Sequence, residues 1–312
     1  MGTRAELPAT FEETLSALLR TRSDERRWAL INHATTWPEQ AGDEAFRLLQ
    51  SRGTIQRQRG AEILGFLCDY QPQRIPEFTQ ALVRAFDRER DEDPLLFIFF
   101  ALSKAVGREG EVPPRLENGE WKGVGMGKPD RPERSHVWDL LGADRLRRAA
   151  SLKDSADPDH RKELAIAISD FVGMDRIALE TLIELSRDAD TEPRDWATFE
   201  LAVSLALLEK PDASDPDVLA ALMARLDDPQ CEIRNQAAYG LALRHDPRAF
   251  EVVDRQLRDP HEAWDWILDA AEELADPRLL PALDALAAWW PKEDAGWLEA
   301  AFAACRGEAL AD

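Results

Sequence analysis

Ile233-Arg234-Asn235-Gln236-Ala237-Ala238-Tyr239-Gly240-Leu241 decides the fold of this chain. Its small residues let a neighbouring helix come close, and the Leu one turn further on fills the gap between the two. The pattern recurs. Pro193-Arg194-Asp195-Trp196-Ala197-Thr198-Phe199-Glu200-Leu201 repeats the Arg, the first Ala and the Leu. His160-Arg161-Lys162-Glu163-Leu164-Ala165-Ile166-Ala167-Ile168 and Gln56-Arg57-Gln58-Arg59-Gly60-Ala61-Glu62-Ile63-Leu64 repeat it more loosely.

Asp-Pro pairs punctuate the same region: Asp93-Pro94, Asp157-Pro158, Asp215-Pro216, Asp228-Pro229, Asp246-Pro247, Asp259-Pro260 and Asp276-Pro277. Asp caps a helix and Pro is tolerated in its first turn, so each pair predicts a helix start. Pro229 to Pro260 is 31 residues and Pro247 to Pro277 is 30, the period of a tandem of two-helix units. About eight pairs fit the apolar periodicity. First helices are predicted near 11–20, 43–51, 75–89, 137–150, 176–187, 217–226, 248–258 and 279–289. Their partners are predicted near 25–35, 55–67, 94–106, 160–172, 193–208, 232–244, 262–275 and 295–305. Glycines and prolines concentrate only between 107 and 135, which reads as an insertion loop.

The repeated stretch resembles HEAT repeats, in particular the short HEAT-like repeats named after phycobilisome lyases, whose second helix reads roughly Val-Arg-x-x-Ala-Ala-x-x-Leu after an Asp-Pro turn. The resemblance covers residues 153–290 and extends more loosely before 107. It implies an all-α, right-handed α-solenoid running through 1–312 as a single array, and a scaffold rather than a catalyst.

Charge sharpens that expectation. The 312 residues carry 39 Lys and Arg against 60 Asp and Glu, a net −21. Such a surface opposes non-specific attachment to nucleic acid or anionic membrane and suits a basic protein. Residues 1–150 hold 23 basic and 24 acidic residues, whereas 151–312 hold 16 and 36, so the acidic face belongs to the second half. The longest apolar run, Leu95 to Leu102, is too short to span a bilayer, and the N-terminus lacks the pattern of a signal peptide. Cys68, Cys231 and Cys305 suggest neither a disulfide framework nor a metal site, and a reducing cytoplasm is expected.

Catalytic patterns are thin. Gly123-Val124-Gly125-Met126-Gly127-Lys128-Pro129 lacks the order of a phosphate-binding loop and places Pro129 where a hydroxyl is needed. Trp121, Met126 and Lys128 are instead candidates for touching a partner. No two of the five histidines stand at i, i+4. Deoxyhypusine hydroxylases are HEAT-like and bind two irons through recurrent His-Glu dipeptides, but this chain has only His261-Glu262, so no metal or cofactor is expected. HEAT-like DNA glycosylases present a cationic face, which the acidic half contradicts.

Of ten tryptophans, most are expected to fill gaps between repeats; Trp264 and Trp266 stand two apart, so both cannot easily be buried, and Trp266 is taken as a surface anchor. The second helix of a HEAT pair lines the concave side, and the residue after the repeat Arg projects towards it. Asp195, Asn235, Tyr239, Asp265 and Trp266 are therefore the candidate partner-binding residues. The expected function is a non-enzymatic scaffold presenting an acidic groove to a basic protein. The alternatives are an immunity or antitoxin-like inhibitor of a cationic toxin, and a HEAT-like lyase or hydroxylase.

Overall fold

The computed structural model describes residues 7–108, 115–117, 120–122, 135–207, 210, 213–259, 265–291 and 295–308. The helices are α1 (Phe11–Leu18), α2 (Asp24–Ala34), α3 (Pro38–Leu49), α4 (Thr54–Tyr70), α5 (Ile75–Arg88), α6 (Glu92–Arg108), α7 (His136–Ala150), α8 (Pro158–Ser169) and α9 (Arg176–Leu185). There follow α10 (Thr191–Phe199), a π-turn (Glu200–Ser204), the short α11 (Leu205–Leu207), α12 (Pro216–Arg225), α13 (Cys231–Ala242), α14 (Phe250–Leu257), α15 (Asp265–Leu274), α16 (Leu280–Ala287) and α17 (Ala295–Arg306). The chain divides into two compact units, residues 1–156 and 157–312. Each is a stretch of α-solenoid in which helix pair stacks on helix pair; α4, for example, lies against α3 and α6, and α13 against α10, α12 and α15.

The Asp-Pro pairs act at three levels. Asp157, Asp215, Asp246 and Asp276 each accept a hydrogen bond from the backbone N–H two residues on, with Pro in the first helical position. Asp93-Pro94 instead lies within the first turn of α6, so it does not cap it. Asp228-Pro229 also departs from the expectation. Its carboxylate takes the Gln230 N–H at 3.1 Å and, at 2.9 Å, Nε of Arg194 from the preceding repeat.

That contact explains why Arg recurs. Arg57 Nε donates to Glu89 at 2.6 Å while its Nη1 donates to the Arg52 carbonyl at 2.9 Å. Arg161 pairs with Asp188 at 2.7 Å, and Arg194 adds the Asp188 carbonyl at 2.8 Å to its bond with Asp228. Arg234 donates to the Asp228 carbonyl at 2.6 Å. The planar fork thus ties its own helix start to the acidic loop of a neighbouring repeat, a geometry that Lys cannot reproduce.

Small residues matter most at α13, which is buried from Asn235 to Ala242 because helices cover it on several sides. A Cβ on Gly240 would stand 2.6 Å from Ala202 Cα. Ala202 belongs to the π-turn, where Leu205 N–H bonds back to Glu200 O, five residues away. The wide turn leaves carbonyls without their usual helical donors. Arg244 satisfies two of them, donating to Leu201 O and Ala202 O at 2.7 Å each, and its Nε also donates to Ala213 O at 2.6 Å. Burial of this guanidinium lowers its pKa to about 10. Gly240→Ala is expected to destabilise the second unit by about 1–3 kcal/mol through overpacking, read as a lower urea midpoint; an unshifted midpoint would contradict this contact.

Two expectations need correcting. The insertion read as a loop contains a two-stranded antiparallel ribbon, β1 (Arg115–Glu117) and β2 (Glu120–Lys122), with Leu116 opposite Trp121 in register. Gly123–Pro129 lies outside the described residues. Tryptophan is expected mostly in the core, yet the eight tryptophans whose side chains are described are half-buried or exposed, Trp297 by 48%. The interior is filled by Leu, Ile, Ala and Phe, with Phe78, Phe86, Phe99 and Phe171 fully enclosed. Indole rings are left to the surface, where one edge stays wet.

Candidate partner-binding face

In the second unit, three second-position helices bring their aromatic side chains into one row. Trp196 and Phe199, three apart on α10, share a face and meet edge-on, their centroids 5.9 Å apart. Phe199 meets Trp266 of α15 at 5.9 Å, again edge-on, and Trp266 lies tilted against Tyr239 of α13 at 5.5 Å. Trp196, Phe199 and Trp266 are half-exposed, and Tyr239 is 8% exposed. Trp266 thus joins rings presented by two other helices.

Carboxylates lie beside the row. Asp269, Glu273 and Glu272 stand close enough to Tyr239 that, after the larger effect of burial, they help raise its phenol to about 12. On α10, Asp195 is partly buried and accepts a 3.0 Å hydrogen bond from Gln236 Nε2. Burial raises its pKa; the Gln236 bond opposes the rise, while Glu192 and Glu232 add to it. Glu192 and Glu232 themselves are exposed. Residues 157–312 hold 15 basic and 35 acidic residues, so the excess of negative charge resides in this unit.

The five candidates fare differently. Trp266 is half-exposed at the centre of the row. Tyr239 packs against it with little surface of its own. Asp195 is at the margin and is held by Gln236. Asn235 is a correction: it is fully buried and offers nothing to a partner, because the position after the repeat Arg turns inward on α13. Asp265 opens α15, and its side chain lies outside the described residues, as do Trp264, His261 and Glu262. Trp196 and Phe199 were missed as site residues, although their i, i+3 spacing on a helix was visible. Among the described residues, no group of three or more His, Cys, Asp or Glu side chains is placed to hold a metal ion. Nor is any described helix long and apolar enough to cross a membrane.

No family model matches the chain. Over 126 residues it is 34% identical to protein YibA of Escherichia coli strain K12, a segment spanning 40% of this chain and 41% of that protein. The solved structure of YibA superposes with a TM-score of 0.62 at 19% identity, over 95% of this chain and 92% of YibA. Kap121p superposes with a TM-score of 0.50 at 13% identity, over 96% of this chain and 33% of Kap121p. These likenesses show a shared helical-repeat fold and nothing of activity.

Proposed function

We propose that the chain is a non-enzymatic protein-binding scaffold of short HEAT-like repeats, of the phycobilisome lyase type, that engages a basic protein through the acidic, aromatic face of its second unit. The observation that carries this reading is the row Trp196–Phe199–Trp266–Tyr239 with carboxylates alongside. Half-exposed rings offer apolar area and quadrupoles to Arg and Lys side chains, and the carboxylates steer cations towards them. Cys68, Cys231 and Cys305 are all free thiols, which agrees with a cytoplasmic setting.

The test uses a short peptide alternating Lys or Arg with apolar residues, beside its glutamate counterpart. The basic peptide should bind and weaken with salt. Reversing exposed Glu192 and Glu232 to Lys should slow its association and flatten the salt dependence. Trp266→Ala should mainly speed dissociation, by roughly 30-fold if the ring contributes about 2 kcal/mol. Equal binding of the glutamate peptide, or kinetics untouched by all three changes, would place the function elsewhere. Asp195 is a poor probe because a Lys there would also break the bond with Gln236.

A further inference from the structure

At the seam between two repeats of the first unit, the turn from α3 to α4 and the turn from α5 to α6 line a cleft of about 450 Å³. That volume lies in the range of small-molecule sites. Arg57 of α4, together with Arg88, Glu89, Arg90 and Asp91 of the second turn, supplies its charged lining. Three guanidinium groups therefore meet two carboxylates, in a chain whose overall balance is −21.

Both carboxylates are already engaged. Glu89 Oε2 accepts Arg57 Nε at 2.6 Å, while its Oε1 accepts Arg57 Nη2 at 3.0 Å and the N–H groups of Arg90 and Asp91 at 2.9 and 3.1 Å. Burial alone would raise its pKa, but these bonds outweigh burial and hold the carboxyl below its usual value. Asp91 Oδ2 takes Arg57 Nη2 at 2.7 Å and Thr54 Oγ1 at 3.1 Å. Glu92, the next acidic residue, stands outside the lining and accepts from Ser155 Oγ at 2.8 Å.

The other two arginines lack such a partner. Among the described residues, exposed Arg88 makes neither a hydrogen bond nor an ion pair. Arg90 uses only Nη1, which donates to the Asp87 and Glu89 carbonyls at 3.2 and 2.7 Å; these fasten the side chain and leave Nε and Nη2 open. Arg148 reaches the same Glu89 carbonyl at 2.6 Å, so two guanidinium groups share one oxygen. Burial lowers the pKa of Arg148, and the charge of Arg90 lowers it further. In the other turn, Ser51 Oγ accepts the Gly53 N–H at 3.2 Å and keeps its own proton for a further acceptor. The cleft is thus a set of donors short of an acceptor.

We infer that this cleft binds a small soluble molecule through a dianionic phosphate, held between the Arg88 and Arg90 guanidinium groups, with Ser51 donating to a further oxygen. A tetrahedral phosphate carries nearly two charges and three acceptor oxygens, which matches two forks and a hydroxyl; a planar carboxylate carries one charge and two oxygens. Arg90 is ordered before the ligand arrives, so little freedom is lost on its account. The cleft exceeds the size of a phosphate and leaves room for the rest of the molecule beside Gln50. Residues 1–156 hold 24 basic and 25 acidic residues, and charges beyond about 8 Å are largely screened at physiological salt, so the acidity of the chain does not exclude an anion.

Calorimetry on the full chain, in a buffer free of phosphate and sulfate, tests this with inorganic pyrophosphate, succinate and a phosphoserine peptide. Pyrophosphate should bind, and succinate should bind at least roughly tenfold more weakly. Arg88→Gln and Arg90→Gln should each weaken pyrophosphate roughly tenfold, since each removes one charged fork. Arg84→Gln removes the same charge one turn earlier on α5, outside the cleft, and should change the affinity by less than about twofold. Circular dichroism confirms that the variants are folded. Any of four results overturns the inference: no binding of pyrophosphate, equal binding of succinate, equal losses from Arg84→Gln and Arg88→Gln, or a phosphoserine peptide that binds more tightly than pyrophosphate. The third would reduce the effect to diffuse attraction, and the last would make the ligand a modified protein.

Discussion

Replacing Arg194 by Ala is expected to lower the unfolding free energy of the second unit by about 3–5 kcal/mol, because it strands a buried carboxylate. The guanidinium side chain is 9% exposed and that of its partner Asp228 only 2%. One Arg closes two gaps at once: Nε meets Asp228 at 2.9 Å, and Nη1 reaches the Asp188, Ala189 and Asp190 carbonyls. Arg225 approaches Asp228 at 3.4 Å and the Gln230 N–H donates to the same carboxylate at 3.1 Å, so the carboxylate keeps some compensation and the lower end of the range is favoured. Arg194→Lys should recover part of the loss, since it restores charge without the fork. Arg176→Ala is the control. Arg176 bridges Asp215 and Asp217, but it is 43% exposed and should matter little. Urea unfolding followed by circular dichroism decides it; equal midpoints for Arg194→Ala and Arg176→Ala would mean that the buried clamp adds nothing. A partial transition is also expected, with the first unit retaining structure, since repeats rest mainly on their neighbours.

The contrast between these arginines shows what was legible in the sequence. The recurrence of Arg and the 30-residue spacing of Asp-Pro pairs were both visible, and together they place Arg194 one repeat before Asp228, 34 residues away. All sixteen predicted helices correspond to observed ones, since capping Asp, first-turn Pro and apolar periodicity are local signals. The direction of a given side chain is not local. Each residue turns a helix by about 100°, so the phase error of a single residue separates a groove from a core. Asn235 fell on the wrong side of that error, and Trp196, read as filler, stands on the aromatic row. The π-turn was illegible for a related reason. Its extra residue arises where Gly240 and Arg244 of α13 accommodate Leu201 and Ala202, a tertiary arrangement that Glu200–Ser204 alone does not announce.

Glu200, the first residue of that turn, should make the second unit lose stability as pH rises from about 4.5 to 7. It is 6% exposed, and burial lifts its carboxyl from 4.5 to about 7, with Asp170 adding to the rise and Ser204, Ser169 and Lys210 opposing it. Below pH 4.5 the group is protonated whether the chain is folded or not, and its contribution to stability is complete. Between the two values the unfolded chain ionises first, so folding retains a proton that the unfolded state releases, and stability falls. Above pH 7 both states are ionised and the loss, about 3 kcal/mol for a shift of this size, is fixed. Other groups tilt the wild-type curve the opposite way: arginines hold Asp215, Asp246 and Asp276 below their usual values, and these contribute stability that is lost on acidification. The difference between two proteins isolates Glu200. Glu200→Gln keeps the shape and an oxygen for the Ser169 and Ser204 hydroxyls but has no charge to bury. At pH 4 it should match the wild type, and by pH 8 it should be more stable by up to about 3 kcal/mol. Urea midpoints measured at half-unit intervals across that range test this. Parallel curves would show that the Glu200 carboxylate is ionised at no cost in the folded unit, and that the turn admits water.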